Sequence, residues 1–174
     1  KNLSIVCFNE KQWIGNGLVI PSGPLREGLI ALKRAGCVMI NGEKNTDIEN
    51  RILNHNKEIK IFYSKYKVQN IDEFKNKKVT AFAGIGNPVN FFNLLKNNNI
   101  DILEEIIFPD HYDYLDKELE NLIYKAKENH TILLTTEKDY FRINENYKKN
   151  INCLKIVVEI ENRNQFIEEI KKVI

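Results

Sequence analysis

An α/β fold with a mostly parallel sheet and helices on both faces is what this sequence predicts, and three observations predict it. Short apolar, β-branched runs alternate along the chain with longer segments of helical period. Gly, Pro and Asn gather where those runs end, as they do at strand-to-helix turns. The 174 residues also suffice for one domain with a core of its own, since about 100–200 residues make a domain. We therefore expect a single α/β domain over residues 1–174.

The elements follow in order. Strands are expected over residues 3–8, 37–40, 59–63, 79–83, 105–108, 131–135 and 154–160, each a short run rich in Ile, Val, Phe or Thr. Helices are expected over 24–35, where Leu25, Leu29 and Leu32 share a face, and over 47–55. A third spans 88–96 with Phe91, Phe92, Leu94 and Leu95. A fourth spans 115–128 with Leu115, Leu119, Leu122, Ile123 and Ala126, and a fifth spans 164–174. Residues 64–78 fit neither period and are expected to be a loop or an edge hairpin.

Composition excludes several classes of function. With 26 Lys+Arg against 24 Asp+Glu the formal net charge is only +2, and no basic block offers nucleic acid a phosphate-binding surface. No apolar run approaches the ~18–20 residues that cross a bilayer, so this segment is expected to be soluble. Three scattered cysteines without a CxxC point to a reducing compartment and to buried, inert thiols. The only methionine is Met39, and a strand-like run begins by Leu3, so the chain is expected to be the later part of something longer. Asn (24), Ile (24) and Lys (21) are so abundant that Asn97-Asn98-Asn99 or Lys77-Lys78 says little about a site.

Open parallel sheets place ligands at the carboxyl ends of their strands, which makes those exits the place to look. Beyond Phe8 lie Gly15-Asn16-Gly17 and Pro21-Ser22-Gly23-Pro24-Leu25-Arg26-Glu27, and beyond Ile40 lies Asn41-Gly42. Arg26 and Glu27 fall in the expected first turn of the helix opened by Pro24, where free N–H groups and a guanidinium could converge on an anion; a salt-bridged surface Arg is the alternative. Gly84-Ile85-Gly86-Asn87-Pro88 reads as a βα turn with Asn87 as cap and Pro88 at the helix start, or as a place where a ligand approaches closely. Its spacing fails the dinucleotide fingerprint.

Asp110-His111 is the acid–imidazole pair at a strand exit, suited to handling a proton near neutral pH. His55 and His130 fall at helix ends, where a solvent or capping role suffices. In Thr135-Thr136-Glu137-Lys138-Asp139, Lys138 could meet a phosphate, or the cluster could simply start a helix with Thr136 as cap. No metal-ligand spacing, Cys-His or Ser-His-Asp arrangement or G-x-x-x-x-G-K-[ST] loop occurs.

Taken as an ordered set, these clusters resemble the tetraacyldisaccharide 4′-kinases of lipid A biosynthesis. The match runs through Gly15-Asn16-Gly17, the Gly23-Pro24-Leu25-Arg26-Glu27 run, Asn41-Gly42, the 82–88 run with Phe91-Phe92, Phe108-Pro109-Asp110-His111-Tyr112 and Leu134-Thr135-Thr136-Glu137-Lys138-Asp139. The resemblance implies a P-loop-kinase-like lobe and transfer of the ATP γ-phosphate to the 4′-hydroxyl of tetraacyldisaccharide 1-phosphate, giving lipid IVA, with Mg²⁺. It implies work at the cytoplasmic face of the bacterial inner membrane. By the same resemblance His111, with Asp110 beside it, acts on the acceptor hydroxyl, and Arg26 with Glu27 lies near the nucleotide phosphates. Asn16, Asn41, Gly84, Gly86, Asn87 and Lys138 then border the cleft.

The family's Walker A loop, catalytic aspartate and Asp-Asp-Gly-Phe-Gln motif have no counterpart in these residues. The chain is therefore expected to be the C-terminal portion of such a kinase, inactive alone and completed by an N-terminal lobe on the same or a separate chain. The alternative is a non-catalytic remnant or split-gene α/β module that binds a phosphorylated saccharide or a partner lobe. An unrelated sugar-nucleotide enzyme is a third reading.

Overall fold

A computed structural model describes residues 3–172. Its strands form two four-stranded sheets, and the chain divides into two compact units. One comprises residues 1–67 and 158–174, the other residues 68–157, where the sequence suggested a single unit.

The first unit carries the sheet ordered β1-β2-β3-β8, from strands β1 (Ile5–Asn9), β2 (Cys37–Asn41), β3 (Lys60–Val68) and β8 (Ile156–Ile160). β1 pairs with β2, and β2 with β3, in parallel. Alternation along β2 sends Val38 and Ile40 to one face and Cys37 and Met39 to the other. Val38 and Ile40 pack with Leu32 and with Ile48 and Ile52 of helix α1 (Thr46–His55). Cys37 and Met39 join Phe62 and Phe166, the latter on helix α6 (Arg163–Lys171). Helices thus cover both faces. Asn45 caps α1 by accepting from the N–H groups of Asp47 and Ile48 at 3.1 and 3.2 Å.

The second unit holds the sheet ordered β5-β4-β6-β7, parallel throughout: β4 (Lys78–Ala83), β5 (Asp101–Ile107), β6 (Ile132–Thr136) and β7 (Asn152–Leu154). On β4, Val79, Ala81 and Ala83 pack against Phe91, Phe92 and Leu95 of helix α2 (Pro88–Asn97). Phe82 points the other way, onto Leu119, Leu122 and Ile123 of helix α3 (Asp116–Glu128). Phe82 is fully buried, and truncating such a ring to Ala costs about 3–5 kcal/mol.

Several expectations are corrected. The expected helix 24–35 is a 3-10 helix over Leu29–Arg34 only. Leu25 is held in a bridge with Val19, its N–H donating to Leu18 O and its carbonyl accepting from Ile20 N, and Gly28 is extended at φ −68°, ψ 161°. Leu29 and Leu32 still share a face, because positions three apart eclipse in a 3-10 helix.

Residues 64–68, expected in a loop or edge hairpin, extend β3. The expected strand 154–160 breaks at Lys155 into β7 and β8, which belong to different sheets. Helix α4 (Glu137–Arg142) is the one that the alternative reading of the 135–139 cluster starts at Thr136, and helix α5 (Glu145–Lys148) was not anticipated.

All three cysteines are free thiols, yet only Cys37 is buried, and burial pushes its thiol up. Cys7 is exposed because β1 is an edge strand whose alternate residues face outward.

Candidate active site

In the second unit, the exits of β4, β5 and β6 converge at the carboxyl edge of the sheet. Gly84 follows β4, Asp110 and His111 follow β5, and α4 starts directly at the end of β6. Thr136 caps α4, its Oγ1 accepting from Asp139 N–H at 3.1 Å, and Asn87 caps α2 with Pro88 in its first turn, both as the residue types suggest.

Asp139 anchors this cluster. Its carboxylate is fully buried, and Oδ2 accepts from Gly84 N–H at 3.0 Å and from the Thr136 hydroxyl at 2.7 Å. Oδ1 makes no hydrogen bond, but Arg142 Nη1 lies 3.7 Å away. Asp139 and Arg142 are three apart on α4 and share a face. Arg142 also donates to Gly84 O at 3.4 Å and, through Nη2, to His111 Nδ1 at 2.8 Å.

His111 completes the cluster from the other side. Its N–H donates to Gly84 O at 3.1 Å, and its φ of +60° lies in the left-handed region. A non-glycine residue there stores about 1–3 kcal/mol, a cost that clusters at functional sites. The ring is 69% exposed. Nε2 lies 3.4 Å from Lys138 Nζ and 3.9 Å from Asp110 Oδ2, while Lys138 Nζ stands 3.6 Å from Asp110 Oδ1. Cation, imidazole and carboxylate are thus presented together at the surface.

The loop holding His111 is stiffened by aromatics. Phe82, Phe108, Tyr112 and Tyr114 stack with ring centres 5.0–6.2 Å apart. Tyr112 donates to Glu118 at 2.8 Å, and Glu118 accepts from Leu115 N–H at the start of α3. Tyr114 buries a hydroxyl with no hydrogen-bond partner. Burial first and the Asp139 charge second push its ionisation far above the ordinary tyrosine range. Gly84 is required here, because a Cβ would stand 2.8 Å from the Tyr114 oxygen and 3.2 Å from Pro109 O. The close approach that its residue type suggested is to the protein's own loop. Gly86 is exposed, and a Cβ there would come 3.1 Å from Asp110 Oδ2.

In the first unit, Arg26 and Glu27 lie outside any helix, which removes the helix-terminus argument for an anion site there. They line an open cavity of about 1090 Å³ together with Trp13 and Arg34. Glu27 pairs with Arg34, whereas Arg26 is exposed and makes no hydrogen bond or ion pair among the described residues. Asn16 stitches the same loop, donating to Ser22 O at 2.8 Å and accepting from Leu18 N–H at 3.1 Å. Asn41 ends β2 and donates to Ser64 Oγ at 3.4 Å. Gly42, at φ +140°, passes so close to Glu10 that a Cβ would meet that side chain at 2.4 Å.

Arg142 was missed by sequence reasoning. Its i, i+3 spacing from Asp139 on a helix capped by Thr136 was the available signal. Among the described residues no group of three or more His, Cys, Asp or Glu side chains is placed to hold a metal ion.

The family model of tetraacyldisaccharide-1-P 4′-kinases, LpxK, matches residues 1–174. The chain belongs to this family. It is 45% identical over 152 residues to a tetraacyldisaccharide 4′-kinase of Pelagibacter ubique, covering 86% of this chain and 48% of that one. Kinases of Rickettsia akari and Rickettsia bellii are 39% and 41% identical across 99% of this chain and 52% and 53% of their own lengths. The chain thus spans about half the length of the curated relatives it matches, corresponding to their C-terminal portion.

Among solved structures, LpxK from Aquifex aeolicus, an apo form in complex with ATP, superposes with a TM-score of 0.69. The identity is 26%, over 99% of this chain and 53% of that one. The α/β architecture expected from the sequence is therefore shared with LpxK.

Proposed function

We propose that this chain is the acceptor-side portion of a lipid A 4′-kinase, an enzyme that transfers the γ-phosphate of ATP to the 4′-hydroxyl of tetraacyldisaccharide 1-phosphate, giving lipid IVA. The observation that carries this reading is the family match over all 174 residues together with a braced, outward-facing His111 at the carboxyl edge of a parallel sheet. We further propose that the complete enzyme works at the cytoplasmic face of the inner membrane. Among the described residues no helix is long and apolar enough to cross it.

In this reading His111 Nε2 meets the acceptor hydroxyl and orients its oxygen toward phosphorus. Asp110 brings a carboxylate within 3.9 Å of Nε2. Lys138 adds positive charge beside them, where negative charge gathers as the phosphoryl group moves. Arg26 is an unpaired guanidinium in an open cavity, fit to clamp a nucleotide phosphate, and Glu27 holds Arg34 next to it. Asn16 and Asn41 shape the loops of the first unit, and Gly84, Gly86 and Asn87 shape the β4 exit of the second.

Mg²⁺ would neutralise charge on the ATP phosphates, but the described residues do not form a ligand set for it, and no step is derived through it. A Walker A loop does not occur in residues 1–174. An N-terminal lobe, on the same or another chain, is proposed to supply it. A full-length kinase containing this segment should phosphorylate tetraacyldisaccharide 1-phosphate from γ-labelled ATP, and this segment by itself should not. Absence of transfer by every full-length form would overturn the reading and favour a saccharide-binding module.

A further inference from the structure

We propose that the open edge of β1 is a pairing seam, the place where a strand of the N-terminal lobe adds to the sheet of the first unit. This rests on the reading that such a lobe completes the chain, and it says where the two join.

The backbone defines the seam. Ser4 O accepts from the N–H groups of Gly36 and Cys37 at 2.8 and 3.4 Å, and Glu10 N–H donates to Asn41 O at 2.9 Å. Val6 is in parallel register with Val38 and Phe8 with Ile40, so the even-numbered residues of this run turn both backbone groups to β2. The N–H and C=O groups of Ile5, Cys7 and Asn9 therefore point the other way, to the open edge. Trp13 N–H closes the Asn9 carbonyl at 2.7 Å and ends the run, which leaves Ile5 and Cys7 to offer two donors and two acceptors. The open cavity of about 1090 Å³ borders this edge, lined by Ser4, Val6, Cys7 and Phe8 and by Leu25 and Leu29.

Side chains agree with the backbone. Val6 and Phe8 pack on the core that holds Val38 and Ile40. Ile5 and Cys7, in register with Cys37 and Met39, share the face that Phe166 packs against, yet they stand exposed themselves. A strand that is apolar on both faces belongs inside a parallel sheet rather than at its margin.

The other sheet edges are guarded. β5 carries Asp101, Glu104 and Glu105 and a register shift against β4, β7 is three residues long, and β8 carries Glu159, paired with Lys67. Charge, bulging and shortness are the devices that stop an edge from pairing. Among the described strands β1 (Ile-Val-Cys-Phe-Asn) is the edge that has none of them. Its occupant is argued from length and place. About half the length of the relatives lies outside this chain, and Arg26 lines the same cavity, so a lobe seated on β1 arrives beside the guanidinium proposed to meet a nucleotide phosphate. Backbone pairing supplies the affinity in such strand addition, and the apolar side chains of β1 supply the fit.

Amide hydrogen exchange resolved at single residues reads the seam directly. In this chain alone Ile5 and Cys7 should exchange close to the rate of a free peptide. In a full-length kinase containing the segment they should exchange at least about 10²-fold more slowly, with Val6 protected in both forms. Free amides at Ile5 and Cys7 in the full-length kinase would overturn the proposal. So would protection in this chain alone that rises with its concentration, which would give the edge to a second copy.

Cys7→Pro removes an outward N–H that β2 does not use, a change that a free edge tolerates and a paired strand does not. It should lower the urea midpoint of the full-length kinase well beyond any shift in this chain, and Cys7→Ser, which keeps the N–H, should not. Equal shifts in the two forms would overturn the seam. None of these readouts uses phosphoryl transfer. Protection without kinase activity would sink the proposed function and leave the seam standing, and transfer without protection would do the reverse.

Discussion

In residues 18–28 the chain is held by a backbone bridge between Val19 and Leu25 and by the Asn16 side chain, and no described residue pairs with the guanidinium of Arg26. Around His111 the groups are tied to one another: backbone on Gly84, ring on Arg142, Arg142 on Asp139, and Asp139 on Gly84 and Thr136. The difference is chemical. On the proposed reading Arg26 is a phosphate clamp, which needs charge within reach, and a free Arg can follow the oxygens it meets. On the same reading His111 has to be immobilised to meet one acceptor oxygen, and a buried carboxylate and a left-handed backbone are what would hold it.

Removing the immobilised group tests the contrast most severely. In a full-length kinase His111→Ala should lower kcat by about 10²–10⁴-fold, the scale on which positioned acid–base groups act. Unchanged turnover would remove His111 from the reaction and leave its bracing without a catalytic purpose.

The next effect is on folding. Asp139→Ala removes the acceptor of Gly84 N–H and of the Thr136 hydroxyl and leaves Arg142 without its partner. Breaking a buried pair in this way costs about 3–5 kcal/mol, which a urea titration of the chain would register as a lower midpoint at unchanged slope. A change below about 0.5 kcal/mol, the size of ordinary surface effects, would mean that Asp139 is not the anchor.

Arg26→Ala should behave in the opposite sense. Stability should move by less than about 0.5 kcal/mol, because no described residue pairs with Arg26. ATP affinity of the full-length kinase should fall by the worth of one charge-assisted hydrogen bond, about 1.5–3 kcal/mol. Calorimetry of ATP binding checks it, and equal affinity in the variant would return Arg26 to the role of a surface residue.

Much of this contrast could be read from residue types alone. Alternating apolar runs set the layers, and Asn87-Pro88 and Thr136 announced the starts of α2 and α4 through local capping chemistry. What could not be read was long-range. Leu25 has the right spacing for a helix, but its backbone groups are taken by Leu18 and Ile20. Residues 154–160 look like one strand because the break at Lys155 depends on which sheet each half joins. The burial of Asp139 follows from three strand exits meeting, and no local pattern encodes that.

Two tyrosines with buried hydroxyls carry the comparison to its smallest effects. Tyr63 in the first unit donates to Glu49 at 2.9 Å and accepts from Asn45 N–H at 3.4 Å; Tyr114 in the second has no hydrogen-bond partner. At neutral pH Tyr63→Phe should therefore cost about 1 kcal/mol, and Tyr114→Phe close to nothing, because only the first deletes a made hydrogen bond.

Alkaline pH should separate them further. Burial, opposed in part by the Asn45 N–H and reinforced by the Glu49 contact, pushes the Tyr63 hydroxyl from 10.0 to about 12. Between those values the unfolded chain has lost this proton while the folded chain keeps it, so stability falls as pH rises through the window and is whole below it. Tyr63→Phe should flatten that part of the stability curve, measured by urea unfolding at successive pH values. An undiminished slope in the variant would show that Tyr63 ionises as freely in the fold as out of it, and that its two partners hold position rather than proton.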